Sequence, residues 1–335
     1  MEDNTVPIAI KVFGIGGAGG NAVTMMMEEG IQSATTIAMN TDENHLRRYV
    51  KAHKKVLLGR ALTSGLGAGG SPEMGRKAAE MSKEEIAQEA RGTQLAFITA
   101  GMGGGTGTGA SPVVARVIKE ETNATTVAMV TYPFVLEGIR LKVAQRGIKE
   151  LLKEVDTVVI IDNNRLSTVA ANLPMMDAFR LANSIITKAV KGISDTITYP
   201  SLMNIDFADV RSVMNEGGVG FIAVGQGSGP DKVDKAVEST LHNPLLEVSY
   251  DGATGALIHL EGGPQLTLGE AMEVAKRISE QFDPSANVKV GARIHPRLGN
   301  EIRVTVVVTG VKSPYILGGK RHEPAAVAND LLPSL

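Results

Sequence analysis

Between Leu95 and Glu121 the chain runs from an apolar stretch directly into Gly101-Met102-Gly103-Gly104-Gly105-Thr106-Gly107-Thr108-Gly109 and then into an amphipathic stretch. No other feature restricts the fold as much. The seven residues Gly103, Gly104, Gly105, Thr106, Gly107, Thr108 and Gly109 comprise five glycines and two threonines. Held tightly between a strand and a helix, such a turn offers successive backbone N–H groups, two hydroxyls and the positive end of the following helix. That combination suits a di- or triphosphate. The spacing is not G-x-x-x-x-G-K-[ST], so a Walker-type nucleotide loop is disfavoured.

A strand–loop–helix passage of this kind belongs in a mostly parallel α/β sheet, and the first 160 or so residues keep that rhythm. Strands are expected at Ile8–Phe13, Thr35–Met39, Lys55–Leu58, Leu95–Thr99, Thr125–Thr131 and Thr157–Ile161. Helices are expected near Asn21–Glu29, Pro72–Glu89, Gly109–Glu121 and Gly138–Glu154. Ser71 and Pro72 make a good N-cap and first helical position. A long helix follows, roughly Met176 to Ile197, broken by Pro200 and Asn204. Beyond it, strands at Gly220–Val224, Ala256–Leu260, Asn287–Ala292 and Ile302–Val308 enclose two helices, near Asp231–Leu241 and Leu268–Gln281, which suggests a second α+β domain. The expected division is a nucleotide-binding domain at 1–175, a central helix at 176–200, an α+β domain at 201–315 and a flexible tail at 316–335.

Composition removes several classes of function. A chain of 335 residues that is 43% apolar can bury a sizeable core. A formal charge of −2 leaves no basic footprint for nucleic acid and no polybasic signal for lipid. The absence of cysteine excludes disulfides, thiolate zinc sites and cysteine nucleophiles, and fits a reducing cytosol. The start Met1-Glu2-Asp3-Asn4-Thr5 does not read as a secretory signal, and no apolar window suggests membrane insertion.

Two further segments bear on chemistry. Gly14-Ile15-Gly16-Gly17-Ala18-Gly19-Gly20-Asn21 contains a G-x-G-x-x-G, with Asp42 at the end of the next strand. Alone this points to a dinucleotide enzyme, yet that reading leaves the second glycine loop unexplained. Asn204-Ile205-Asp206-Phe207-Ala208-Asp209 follows the long helix. Locally, Asp206 and Asp209 form a capping pair at a helix start and need no catalytic role. The glycine–threonine loop, for its part, contains no His, Lys or acidic residue to orient a water against a phosphate.

With these motifs in family order from about Ile8 to Tyr315, the chain resembles FtsZ, the prokaryotic relative of tubulin, in an archaeal-looking form. Gly103–Gly109 matches the tubulin signature. The resemblance implies a GTPase that binds GTP and GDP, with Mg²⁺ held mainly by the phosphates, and that forms head-to-tail filaments of itself in the cell-division ring. It implies that Gly16, Gly17, Gly19, Gly20 and Asn21 supply one phosphate loop, Asn40 and Asp42 a second, and Ala68, Gly69 and Gly70 a third. Here Gly70-Ser71 stands where Ala-Asn is common. Pro133, Glu137 and Arg140 correspond to the sugar side, with a Glu–Arg spacing one residue shorter than the bacterial form. Asn163, Phe179 and Asn183 correspond to guanine recognition, although Asp162-Asn163-Asn164-Arg165 departs from Pro-Asn-Asp-Lys.

The Asn204, Asp206, Asp209 segment matches the loop that enters the next subunit's nucleotide pocket. Hydrolysis is therefore expected only at junctions. The resemblance also implies a cytoplasmic protein at the mid-cell division site with adaptor proteins as partners, no nucleic acid and no direct membrane insertion. Asp330-Leu331-Leu332-Pro333 would be a minimal adaptor hook, against the plainer reading of a frayed terminus.

Overall fold

The computed structural model describes residues 8–165, 172–199, 201–215, 217–242 and 252–311. The expected tail, with Asp330–Pro333, and the helix break at Pro200 lie outside the described residues. One ten-stranded sheet runs through the molecule in the order β3-β2-β1-β4-β5-β6-β7-β10-β8-β9. Its first strands are β1 (Ile10–Ile15), β2 (Thr35–Asn40), β3 (Lys54–Leu57), β4 (Leu95–Gly101), β5 (Thr125–Tyr132) and β6 (Thr157–Asp162). They are all parallel, which places every one of their C-terminal ends on one rim. β7 (Gly218–Ser228) continues the parallel order by pairing Thr157 with Gly218. β10 (Glu301–Val311) is antiparallel to both β7 and β8 (Gly255–Gly262), and β9 (Asn287–Ile294) runs parallel to β8. The C-terminal strands thus extend the same sheet, with β7, β8 and β9 pointing the same way as the first six.

Helices cover both faces, so the central strands are buried on both sides and read as near-continuous apolar runs. Along β1, Ile10 and Val12 join one core while Phe13 and Ile15 join the other, the period-two alternation of a strand. α1 (Gly16–Glu28), the long α8 (Met175–Thr198) and α9 (Phe207–Asn215) cover the first face. The opposite face carries α4 (Pro72–Met81), α5 (Lys83–Ala90), α6 (Gly105–Glu121) and α7 (Ile139–Leu151), and further along α10 (Lys232–Leu241) and α11 (Leu268–Ser279). Two short helices, α2 (Glu43–Arg48) and α3 (Arg60–Thr63), lie in the connections on either side of β3.

Two departures from the sequence expectation have a physical cause. The Pro72–Glu89 helix is two helices, because Ser82 turns out of helical geometry (φ −105°, ψ 23°) and its buried hydroxyl accepts from Gly59 N–H at 3.0 Å. More important for function, α1 begins at Gly16 rather than Asn21, and α6 at Gly105 rather than near Ala110. Glycine has poor helix propensity, but packing decides here. A Cβ on Gly109 would collide with Pro72 O, and one on Gly107 with Gly101 O. These glycines let α6 lie against α4 and β4 at backbone distance. The expected phosphate loops are therefore largely first turns of helices.

Candidate functional site

Some helices of this chain satisfy a first-turn amide with a side chain. Asp42 Oδ1 accepts from His45 N–H at 2.9 Å at the start of α2, Ser71 Oγ caps α4, and Thr267 with Glu270 forms a capping box on α11. α1 and α6 do not. Their N-cap residues, Ile15 and Gly104, provide no side-chain acceptor, and neither first turn contains an acidic residue. Four N–H groups open every helix unpaired, and their partial positive charge adds to the helix dipole. The two uncapped ends converge: a Cβ on Gly16 would stand 2.9 Å from Gly107 N.

Both ends open into one cavity of about 520 Å³ at the C-terminal ends of β1, β4, β5 and β6, where parallel sheets place their ligands. Its phosphate-like end is lined by Gly17, Gly104, Gly105, Thr106 and Gly107. Gly17 and Gly104 are informative. Neither has a positive φ, and a Cβ on either would meet no protein atom within 4 Å. The fold itself does not require glycine there, and the missing side chains leave the backbone open to an occupant of the cavity. Gly16 and Gly103 are different, held at φ +72° and +95° to turn the chain into the helices.

The other end is lined by Pro133, Phe134, Glu137, Arg140, Asn163 and Phe179. Glu137 is its one acidic residue and is neutralised by Arg140, 2.5 Å away, while its other oxygen accepts from Phe134 N–H at 3.0 Å. Phe179 is 39% exposed and meets Phe134 edge-to-face at 6.1 Å between centroids, leaving a ring face for a planar group. Asn163 carries a buried amide oxygen without a hydrogen-bond partner, an unmet need that a ligand donor would satisfy. These features fit a nucleotide, with phosphates at the helix ends and a base at Phe179 and Asn163.

Several expected residues brace this lining or stand behind it. Thr106 Oγ1 bonds Thr41 Oγ1 at 2.7 Å, tying the second loop to α6. Thr108 is buried and its Oγ1 accepts from Gly103 N–H at 2.9 Å, so it shapes the turn and does not line the cavity. Asn40 Oδ1 accepts from Thr41 N–H at 2.8 Å. Asp42 is engaged at α2, not in the cavity where a dinucleotide ribose would need it. Gly19 packs on Thr99 O and Gly20 near Val50. Asn21 is exposed on α1, and Gly109 is buried against Pro72. Ala68, Gly69 and Gly70 form a turn that leans on the start of α6, where Ala68 Cβ would be 2.9 Å from a Cβ on Gly105. Asn183 lies one helical turn beyond Phe179 on α8, half-buried and outside the lining.

One organising residue was not legible in the sequence. Asn164 donates to Pro133 O at 3.2 Å and to Asp162 Oδ1 at 2.6 Å, and it accepts from Val135 N–H at 2.6 Å. It joins the exit of β6 to the 133–137 turn and leaves its neighbour Asn163 to face the cavity. In Asp162-Asn163-Asn164 only geometry separates the two amides.

Asn204, Asp206 and Asp209 lie elsewhere. Asp206 Oδ1 accepts from Asp209 N–H at 2.7 Å, and Asp206 N–H reaches Asp209 Oδ2 at 3.4 Å, so the local capping pair is present. The helix they open, α9, is fastened to the beginnings of strands: Thr157 Oγ1 donates to Met214 O, Asn287 Nδ2 to Ser212 Oγ, and Lys289 pairs with Asp209 at 2.9 Å. β6 begins at Thr157 and reaches the cavity rim at Asp162. At about 3.3 Å per residue β6 itself spans roughly 20 Å, from its contact with the end of α9 at Met214 to the rim. No residue of the aspartate segment lines the cavity.

Comparison with known proteins identifies the family of the chain. The model of the Tubulin/FtsZ family GTPase domain matches residues 9–171, and that of the FtsZ family C-terminal domain matches residues 218–312. The chain is 53% identical to cell division protein FtsZ 2 of Methanocaldococcus jannaschii over 95% of its own length and 84% of the relative's. It is 48% identical to cell division protein FtsZ 1 of Archaeoglobus fulgidus over 93% and 85% of the two chains. Among solved structures, the empty FtsZ dimer of M. jannaschii superposes with a TM-score of 0.88 at 44% identity, covering 99% of this chain and 96% of that one. The GTPγS-bound protofilament of CetZ2 from Haloferax volcanii shares the fold, with a TM-score of 0.79 at 21% identity over 91% and 94% of the chains.

Proposed function

Because the chain belongs to the tubulin/FtsZ family of cell-division GTPases, we propose that it hydrolyses GTP in a site shared between consecutive copies of itself. The observation that carries this reading is the separation of two incomplete half-sites. Among the described residues, the cavity pole has converging helix ends for phosphates and no acidic side chain at those helix ends. The opposite pole has Asp206 and Asp209, and the small cavity lined there by Arg211 and Asn215 contains neither of them. Stacking one copy on the next brings the aspartates of one to the phosphates of the other.

In this reading Gly17 and the Gly104–Gly107 amides cradle the phosphates, supported from behind by Gly16, Gly103, Thr106, Thr108 and the Ala68–Gly70 turn. Glu137 and Arg140 face the sugar, Phe179 stacks on the base, and Asn163 and Asn183 read its edge. Asp206 and Asp209, with Asn204 shaping the junction, orient the attacking water. Phosphoryl transfer asks mainly for such positioning and charge management. A carboxylate brought to a triphosphate needs an intervening cation, and Mg²⁺ carried on the phosphates would neutralise the charge that develops there.

Exposed apolar side chains at both poles support stacking: Leu66, Leu136 and Ile139 near the cavity, and Leu202 beside Asn204. Filaments of this kind would work in the cytoplasm at the division site, with adaptor proteins linking them to other components.

Dilution tests the reading. Phosphate release per molecule should collapse below the assembly concentration, while GTP binding persists. Asp206→Ala should bind GTP and sediment with it, yet turn over about 100-fold more slowly or worse. A constant rate per molecule at all concentrations would refute the shared site.

A further inference from the structure

The two aspartates are in different chemical situations. Asp209 is held on two sides. Lys289 Nζ, from the third residue of β9, lies 2.9 Å from Asp209 Oδ1, and Asp209 Oδ2 faces Asp206 N–H at 3.4 Å. The side chains are about one-third exposed, 36% for Lys289 and 30% for Asp209, so the pair is partly shielded. Asp206 is exposed, gives Oδ1 to Asp209 N–H, and has no cation on its carboxylate. Its second oxygen meets no donor among the described residues.

From this asymmetry we infer that Lys289 is a positioning residue for hydrolysis, which locks Asp209 as the frame of the loop and leaves Asp206 as the carboxylate that takes hold of water. The inference rests on the shared-site reading above and assigns roles within it. A carboxylate with a lysine in contact is a poor proton or water acceptor, since its lone pairs and charge are already engaged. One whose free oxygen points to solvent can bind a water as soon as a neighbouring phosphate arrives. Lys289 also places a positive charge beside two carboxylates that must approach a polyanion, which reduces their mutual repulsion at the junction.

The titration of Asp209 follows the same geometry. Its carboxyl is held below the usual range, first by the Lys289 hydrogen bond, then by hydrogen bonds from Asp206 and by the Lys289 charge, against the opposing effect of burial. Of the strands packed beside α9, β5 has no charged side chain, β8 carries His259 and Glu261, 3.7 Å apart, and β9 carries Arg293, which pairs with Asp195 at 3.6 Å. Removing Lys289 should therefore raise the Asp209 pKa.

The experiment compares Lys289→Met and Lys289→Arg with the parent, reading GTP affinity, sedimentable filament and turnover per assembled subunit from pH 4.5 to 8. For Lys289→Met we expect unchanged GTP affinity, turnover about tenfold lower, and an acid limb of the turnover profile moved to higher pH. Lys289→Arg should recover most of the rate. Asp209→Asn combined with Lys289→Met should be no slower than Asp209→Asn alone, because the two act as a unit. Parental turnover in Lys289→Met, an unmoved acid limb, or no recovery by arginine would overturn the inference. Asp206→Ala, run alongside, separates the two levels. If it keeps parental turnover the shared-site reading itself fails; if it is inactive while Lys289→Met is normal, only the role of Lys289 fails.

Discussion

The cavity pole and the aspartate pole use the same element, the start of a helix, in opposite ways. α1 and α6 begin on Ile15 and Gly104, with no side-chain cap and no acid in the first turn, so their amides remain open to an anion from outside. α9 begins on Asp206, whose carboxylate already accepts from Asp209 N–H. One pole lacks acceptors and the other has them in excess. Each is incomplete without something the other carries, and within one chain the depth of the sheet keeps them apart. On the shared-site proposal, a single sequence would hold both halves of a hydrolytic site and be idle as a monomer.

The most severe test of that comparison is complementation. Gly104→Val would fill the phosphate end and should abolish GTP binding, and Asp206→Ala should abolish turnover. Each alone should be inactive. Mixed in equal amounts, the pocket of the Asp206→Ala copy can meet the intact aspartates of the Gly104→Val copy. Phosphate release should then return to roughly a quarter of the parental rate if copies join at random through one heterologous interface. Absence of recovery, with co-sedimentation of both variants established, would break the comparison.

A second expectation separates glycines that serve a ligand from glycines that serve the fold. Gly104→Ala should leave the melting temperature unchanged but weaken GTP at least about tenfold, since its Cβ meets only the cavity. Gly109→Ala should instead cost about 1–3 kcal/mol of stability through collision with Pro72 O, read by thermal unfolding without nucleotide. Equal melting temperatures for the two variants would refute the distinction.

Smaller effects are expected at the base end. Phe179→Ala should weaken GTP by about three- to tenfold through loss of ring contact, measured by equilibrium titration, and leave turnover at saturating GTP close to parental. The smallest concerns acid. Because the Asp209 pKa is depressed in the folded chain, the stability it contributes is fully present above its unfolded value near 3.8 and disappears as pH falls through the lower folded value. Acid titration followed by circular dichroism should place the Asp209→Asn unfolding midpoint slightly above the parent's on the pH axis, since the variant lacks the stabilisation that the parent keeps until pH falls through the folded pKa.

Much of this was legible in the residues themselves. The order of strands and helices could be read from apolar periodicity, because strands buried on both faces leave continuous Val/Ile/Ala runs such as Thr125–Tyr132. The glycine–threonine signature marked one lining of the cavity, while Asn204–Asp209 read locally as a capping pair, as found, and only the family resemblance gave it a further role. The sequence misjudged the character of the glycine segments, since propensity assigns five glycines to a loop. The family resemblance pointed to Asn163, but nothing in the sequence assigned a role to Asn164, or anticipated Lys289, whose contact with Asp209 spans 80 positions of the chain.

What the sequence determined on its own is therefore the inventory: a parallel α/β frame, two glycine-rich phosphate elements and a distant pair of aspartates, all fixed by local pattern. What only the tertiary structure decided is their relation. Backbone-to-backbone packing at Gly107 and Gly109 turned an apparent loop into two open helix ends, and Thr108 was drawn inward to brace them. The common direction of β6 and β9 put the aspartates at the strand beginnings and the cavity at the strand ends. That opposition follows from how strands align in a sheet, a long-range property that no window of sequence contains.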